Sequence, residues 1–185
     1  MEVPAEAPAI QIRVKDATQL FNTLDPFPFR DRDLDREAED FIVGWARELP
    51  RKSPIRIVIH LPAAAMEGIQ AGEIREALGR YFAYRTEILG LDLKQLFRVG
   101  RRSLAIGLAV LAACLFASRM VAGFLGAGEV ARFAEEGLVI FGWVANWKPI
   151  EIFLYDWWPL AHLRDLYRRL SHATIELRPE AAALS

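Results

Sequence analysis

Apolar residues along this chain change spacing in a fixed order: every second position, then every third or fourth, then two nearly continuous runs. Ile10, Ile12 and Val14 are separated by Gln11 and Arg13, the period of a half-buried strand. Ala38, Phe41, Ile42, Trp45 and Leu49 step by three and four, which predicts an amphipathic helix opened by Asp33 or Asp35 and ended by Pro50. Ile55, Ile57 and Ile59 restore the two-residue period between Pro54 and Pro62, a second strand. Helical spacing returns from about Gly72 to Leu89 through Ile74, Leu78, Tyr81, Phe82 and Arg85. Gly90 is expected to break that helix, and Asp92 to cap a short basic amphipathic turn leading onward. Leu163, Leu166, Tyr167 and Leu170 predict a late helix, and Thr174 to Arg178 alternates as a third strand. That strand is expected to complete a sheet with the first two, which two strands alone leave marginally stable.

The two runs, Leu104 to Leu125 and Gly137 to Trp158, dominate the chain. Each is long enough to cross a hydrocarbon core of about 30 Å at about 1.5 Å per helical residue. The fold expected is an α+β cytoplasmic domain, with three short strands and two to three helices, combined with a two-helix transmembrane hairpin. Its parts are a disordered tail at 1–9 and the domain with its interfacial helix at 10–102. A first transmembrane helix follows at 103–127, an extracytoplasmic loop at 128–136, and a second transmembrane helix at 137–160, kinked at Pro149. A cytoplasmic helix and strand at 161–185 return to the domain.

Composition sharpens this picture where it departs from uniformity. Hydrophobic residues make up 53% and charged residues 25%, and the charges crowd outside the two runs. A net charge of −1 gives no basic footprint for nucleic acid. The single cysteine, Cys114, lies within the first run, so the chain forms no internal disulfide and no cysteine-built zinc site. Met1 to Ala9 is acidic and lacks the basic start and apolar run of a secretory signal. Basic residues flank the hairpin on both sides: Lys94, Arg98, Arg101 and Arg102 before it, Arg164, Arg168 and Arg169 after it. By the positive-inside rule both termini are expected in the cytoplasm, in an inner or cytoplasmic membrane. The same arginines attract anionic lipid.

Within the runs a few residues stand out. Ala105, Ala109, Ala113 and Ala117 form a small-residue stripe, a candidate packing seam within the hairpin or against another protein. Arg119 lies near the outer interface, placed to snorkel or to pair with Glu135 or Glu136. The second run holds Asn146, Lys148, Glu151 and Asp156, and the three-residue step from Lys148 to Glu151 permits pairing. Trp143, Trp147, Tyr155, Trp157 and Trp158 are expected as interface anchors. The second helix either spans with a kink at Pro149, or ends near Trp147 and leaves Ile150 to Leu160 in the interface.

No pattern carries recognisable catalysis. Asp31, Asp33 and Asp35 alternate like a calcium loop, but Arg36 and Ile42 stand where the turn glycine and bidentate glutamate belong. His60, at the end of the second strand, is a weak candidate base, and no residues are assigned to metal or cofactor. The expectation is a non-enzymatic accessory, scaffold or assembly component of a membrane complex. It would partner the lipid bilayer and either a larger membrane protein or copies of itself. The extended Phe27-Pro28-Phe29 loop is a candidate contact. A homo-oligomeric channel or transport component using the polar residues of the second span is the alternative, and a membrane-bound enzyme on a lipid-borne substrate the third.

Overall fold

The computed structural model describes residues 9–22, 33–51, 53–66, 71–125 and 128–179. The Phe27-Pro28-Phe29 loop, the N-terminal tail, Asp31 and Arg32 lie outside the described residues. The chain divides into two compact units, Met1–Leu89 with His162–Ser185, and Gly90–Ala161.

In the first unit, β1 (Ala9–Arg13), β2 (Arg56–Leu61) and β3 (Thr174–Pro179) form one sheet in the order β1-β2-β3. Both pairings are parallel, so each connection is a crossover. Helix α1 (Arg36–Glu48) lies between β1 and β2 in sequence, and a one-turn helix α2 (Ala63–Met66) follows β2. The register aligns Ile10 with Ile57 and Ile175, and Ile12 with Ile59 and Leu177. The alternation expected of β2 holds on one face only: Ile57, Val58 and Ile59 are all buried in succession. Consecutive burial is the mark of a central parallel strand covered on both faces.

Asp35 caps α1, its Oδ1 accepting from the Glu37 amide at 2.9 Å. The face α1 buries is Ile42, Val43 and Ala46, not the predicted Phe41 and Trp45. Those two rings lie on the outer side at 44% and 51% exposure, with centroids 6.2 Å apart. The smaller residues permit close approach, and the large aromatic side chains misled the sequence-based face. Asn22 donates its amide to Asp33 O at 2.8 Å and Asp35 to Leu20 O at 2.9 Å, so the chain leaves and re-enters the described structure at adjacent points.

One polar cluster joins three helices of this unit. Glu39 of α1 accepts from Tyr81 Oη at 2.8 Å and from Arg85 Nε at 3.1 Å, both on α3 (Ala71–Leu125). It also accepts from the Tyr167 hydroxyl of α6 (Trp157–Ser171). Arg85 stacks over the Tyr167 ring at 5.4 Å. Burial first, then the bond to Glu39, pushes both tyrosine hydroxyls above the usual phenol range.

The second unit corrects two boundaries. Gly90 does not end a helix: α3 runs unbroken for 55 residues. A helical glycine costs only about 1 kcal/mol, and buried Leu89 and Leu93 bracket this one. Residues 128–136 are not a loop either, because α4 (Glu129–Val144) begins directly after Gly128. Glu129 suits the positive end of the helix, and Arg132 pairs with Glu136 one turn on at 3.2 Å. The charges that read as loop form the helix's first turns.

Pro149 acts one turn ahead of itself. In a continuous helix its ring would clash with the carbonyl of Ala145, and α4 instead gives way to a turn at Ala145 and Asn146. A short α5 (Trp147–Glu151) then carries Pro149 in its first turn, where the missing donor is harmless. A π-helical segment, Ile152–Asp156, leads into α6.

The Glu39 cluster yields a stability prediction. Glu39→Ala leaves three donors without their acceptor and is expected to cost about 2 kcal/mol, read by denaturant unfolding in detergent. Both tyrosines hold their protons more tightly when folded. Their contribution is therefore full below about pH 10 and lost as pH rises through the folded values. Unfolding midpoints are expected to fall steeply above that pH in the wild type and less so in Tyr81→Phe/Tyr167→Phe. A flat profile in the wild type would contradict the assignment.

Candidate functional site

The second unit is organised around a seam between α3 and the broken second arm. On α3 its buried positions are Gly100, Gly107, Cys114 and Ser118, with Leu111 half-buried between them. On the second arm they are Ala131, Gly142, Asn146, Pro149 and Ile152. Seven-residue steps along unbroken α3, Gly100 to Gly107 to Cys114, drift only about 20° per repeat and stay on one face. The alanines expected as a seam within the hairpin or against another protein step by four and drift about 40° each time. Accordingly Ala105, Ala109 and Ala113 are exposed and Ala117 only half-buried. The alanine stripe does not build the hairpin's own contact. The missed signal was the glycine spacing.

The arms touch closely at the helix break. Asn146 is buried, and its Nδ2 donates to Gly107 O across the seam at 3.1 Å and to Gly142 O at 3.0 Å. Its Oδ1 is buried without a hydrogen-bond partner. A Cβ on Gly107 would lie 2.6 Å from that oxygen and 3.0 Å from Ala145 O, and one on Gly142 would lie 2.8 Å from Leu111. A Cβ at Gly107 meets a backbone carbonyl as well as the amide, whereas at Gly142 the nearest atom is the movable tip of Leu111, so the approach constrains Gly107 most. Further along, Gly100 meets Ile152 and Phe153, and Phe97 stacks on Phe153 at 6.2 Å.

The remaining polar residues are handled on the outside of the seam. Lys148 donates to Glu151 and to Asp156, each at 3.1 Å, so the π segment brings a second carboxylate to the same ammonium. Arg119 is exposed and makes no ion pair among the described residues; Glu136 pairs with Arg132 instead. Trp143, Trp147, Tyr155 and Trp158 are exposed, whereas Trp157 is half-buried, donates to Phe153 O at 3.0 Å and packs on Phe97. Arg98, Arg101 and Arg102 are exposed on α3.

Outward from the seam the helices present large apolar side chains. Ile106, Phe116, Phe124, Val130, Phe133, Phe141 and Trp143 are all exposed. Gly72–Val121 and Glu129–Ser171 each contain a window long and apolar enough to cross a membrane, and only 17% and 22% of those windows are buried. The core helices of a water-soluble protein are mostly buried.

Candidate chemistry elsewhere is sparse. His60 is half-buried in β2 with Nε2 lacking a partner, between Arg13 and Arg178 in register. No group of three or more metal-ligating side chains converges among the described residues. Comparison of the chain with protein-family models, with curated proteins and with solved structures returns no match.

The seam gives a double-mutant test. Gly107→Ala is expected to cost about 1–3 kcal/mol through overpacking, and Asn146→Ala about 1–2 kcal/mol through the lost interhelical bond. Removing the Asn146 amide clears the nearest clash, so the double variant should lose less than the two singles together. Thermal unfolding in detergent measures this, and strict additivity would show that the two residues do not meet.

Proposed function

We propose that this chain is a two-pass integral membrane protein, with both termini cytoplasmic, acting as a non-enzymatic accessory or assembly component of a membrane complex. The observation that carries the reading is the division of polarity in the hairpin. Asn146 turns inward to bridge the arms, Lys148 is neutralised by two carboxylates, and the outward surface is left to large apolar side chains. That is how helices meet hydrocarbon. The seam packs within one chain, with only Asn146 Oδ1 left without a partner among its described polar atoms, so the hairpin is a unit available to dock on a larger partner. The exposed alanines at 105, 109 and 113 leave a flat flank on α3 that permits close helix approach.

Orientation follows from the arginines flanking both spans. The small parallel-sheet unit, drawn from both ends of the chain, is then cytoplasmic and serves as the docking head. A second reading is supported by one feature: the Lys148–Glu151–Asp156 cluster is on the outside of the hairpin, Lys148 at 62% exposure, where several copies could surround a polar path.

Native mass spectrometry of the tagged chain, extracted from its own host in mild detergent, separates the two. The accessory reading expects a stoichiometric second protein. A symmetric homo-oligomer without a partner, passing ions after reconstitution in a manner abolished by Glu151→Gln, overturns it in favour of a channel.

A further inference from the structure

The first unit contains a cavity of about 310 Å³ between the C-terminal end of α1 and the middle of α6. Its polar lining is Arg47, Arg51, His162, Asp165, Arg168 and Arg169: four guanidiniums against one carboxylate. The carboxylate is already shared, Asp165 accepting from Arg164 at 3.3 Å and Arg168 at 3.4 Å. The other three arginines have no acidic partner among the described residues. Arg169 donates to the backbone carbonyls of Pro50 and Ser53 at 2.9 and 3.0 Å, which fixes it in the wall while leaving its charge uncompensated. Arg51 Nη1 stands 3.4 Å from His162 Nε2, a ring nitrogen and not a carboxylate. Arg47 makes no ion pair among the described residues.

Helix ends account for part of this density. The carbonyl termini of α1 and α6 each carry about half a negative charge and favour basic residues in the last turn. With Asp165 included, the cavity still holds excess positive charge. Like charges crowded into one concavity repel, and a bound anion relieves that cost. The cavity is large enough for a small polar group, at the lower end of the range of about 300–1,000 Å³ for ligand sites. Guanidinium forks match phosphate oxygens in pairs, and a phosphate ester brings enough charge to answer several arginines at once.

We propose that this cavity is an anion site that takes a phosphate-bearing group through Arg47, Arg51 and Arg169. The group is either a free phosphate or the headgroup of an anionic lipid. His162 follows Trp158 by four residues within α6, which favours the headgroup. Only the lipid source depends on the membrane reading above; the anion site itself does not.

The test uses the full chain purified in neutral detergent. Inorganic phosphate is titrated calorimetrically, and phosphatidic acid is offered against phosphatidylcholine in nanodiscs with native mass spectrometry as readout. Either saturable phosphate binding or selective retention of phosphatidic acid is expected, and the first without the second identifies a soluble ligand. Arg47→Gln/Arg51→Gln is expected to weaken that binding at least about 10-fold, while Lys15→Gln/Arg36→Gln, at two exposed basic residues away from the cavity, leaves it unchanged. Should the glutamine variant unfold, Arg47→Lys/Arg51→Lys keeps the charge, removes the fork and is still expected to weaken binding. Equal loss in the cavity and Lys15/Arg36 variants shows diffuse charge attraction and overturns the proposal. So does wild-type affinity in the cavity variants, or no binding of either probe.

Discussion

Everything in the hairpin depends on the approach of α3 to the break at Ala145 and Asn146. Two helices can meet this closely only where one lacks a side chain, and Gly107 supplies that gap. Asn146 uses it to reach the Gly107 carbonyl while also binding Gly142 on its own helix. The asparagine therefore ties the register of the arms as well as joining them. Pro149 makes this possible, since the break it enforces one turn earlier turns Asn146 inward. In hydrocarbon, burying leucine against leucine gains nothing, so close packing and hydrogen bonds must hold such a pair. The small residues along the seam fit that requirement.

The first unit solves a different problem. A sheet of three parallel strands is too small to stand without cover, and its central strand is buried on both faces. Glu39 gathers α1, α3 and α6 onto one carboxylate, with Tyr81, Arg85 and Tyr167 as donors. Because β3 and α6 follow the hairpin in sequence, the sheet gains its third strand only from residues beyond both arms.

Much of this was legible in the spacing of residues. The two-residue alternation located all three strands, and the third was placed in the sheet because two strands needed a partner. The long apolar runs located both arms. Four features were not legible, each for a physical reason. Gly90 reads as a breaker, yet its cost of about 1 kcal/mol is small beside the packing of Leu89 and Leu93. Glu129, Arg132 and Glu136 read as loop, yet end charges and pairs one turn apart belong to helices. The alanine stripe had the right chemistry at the wrong period, and glycines seven apart held the face. The arginine cavity could not be read locally, since Arg51 and His162 are 111 residues apart.

The central claim is that the hairpin crosses a bilayer and returns. Single cysteines at Gly128, between the arms, and at His172, after α6, test it in a Cys114→Ser background. The account predicts that a membrane-impermeant maleimide labels the Gly128 position in intact cells and the His172 position only after lysis. Labelling of both positions from the same side would contradict it.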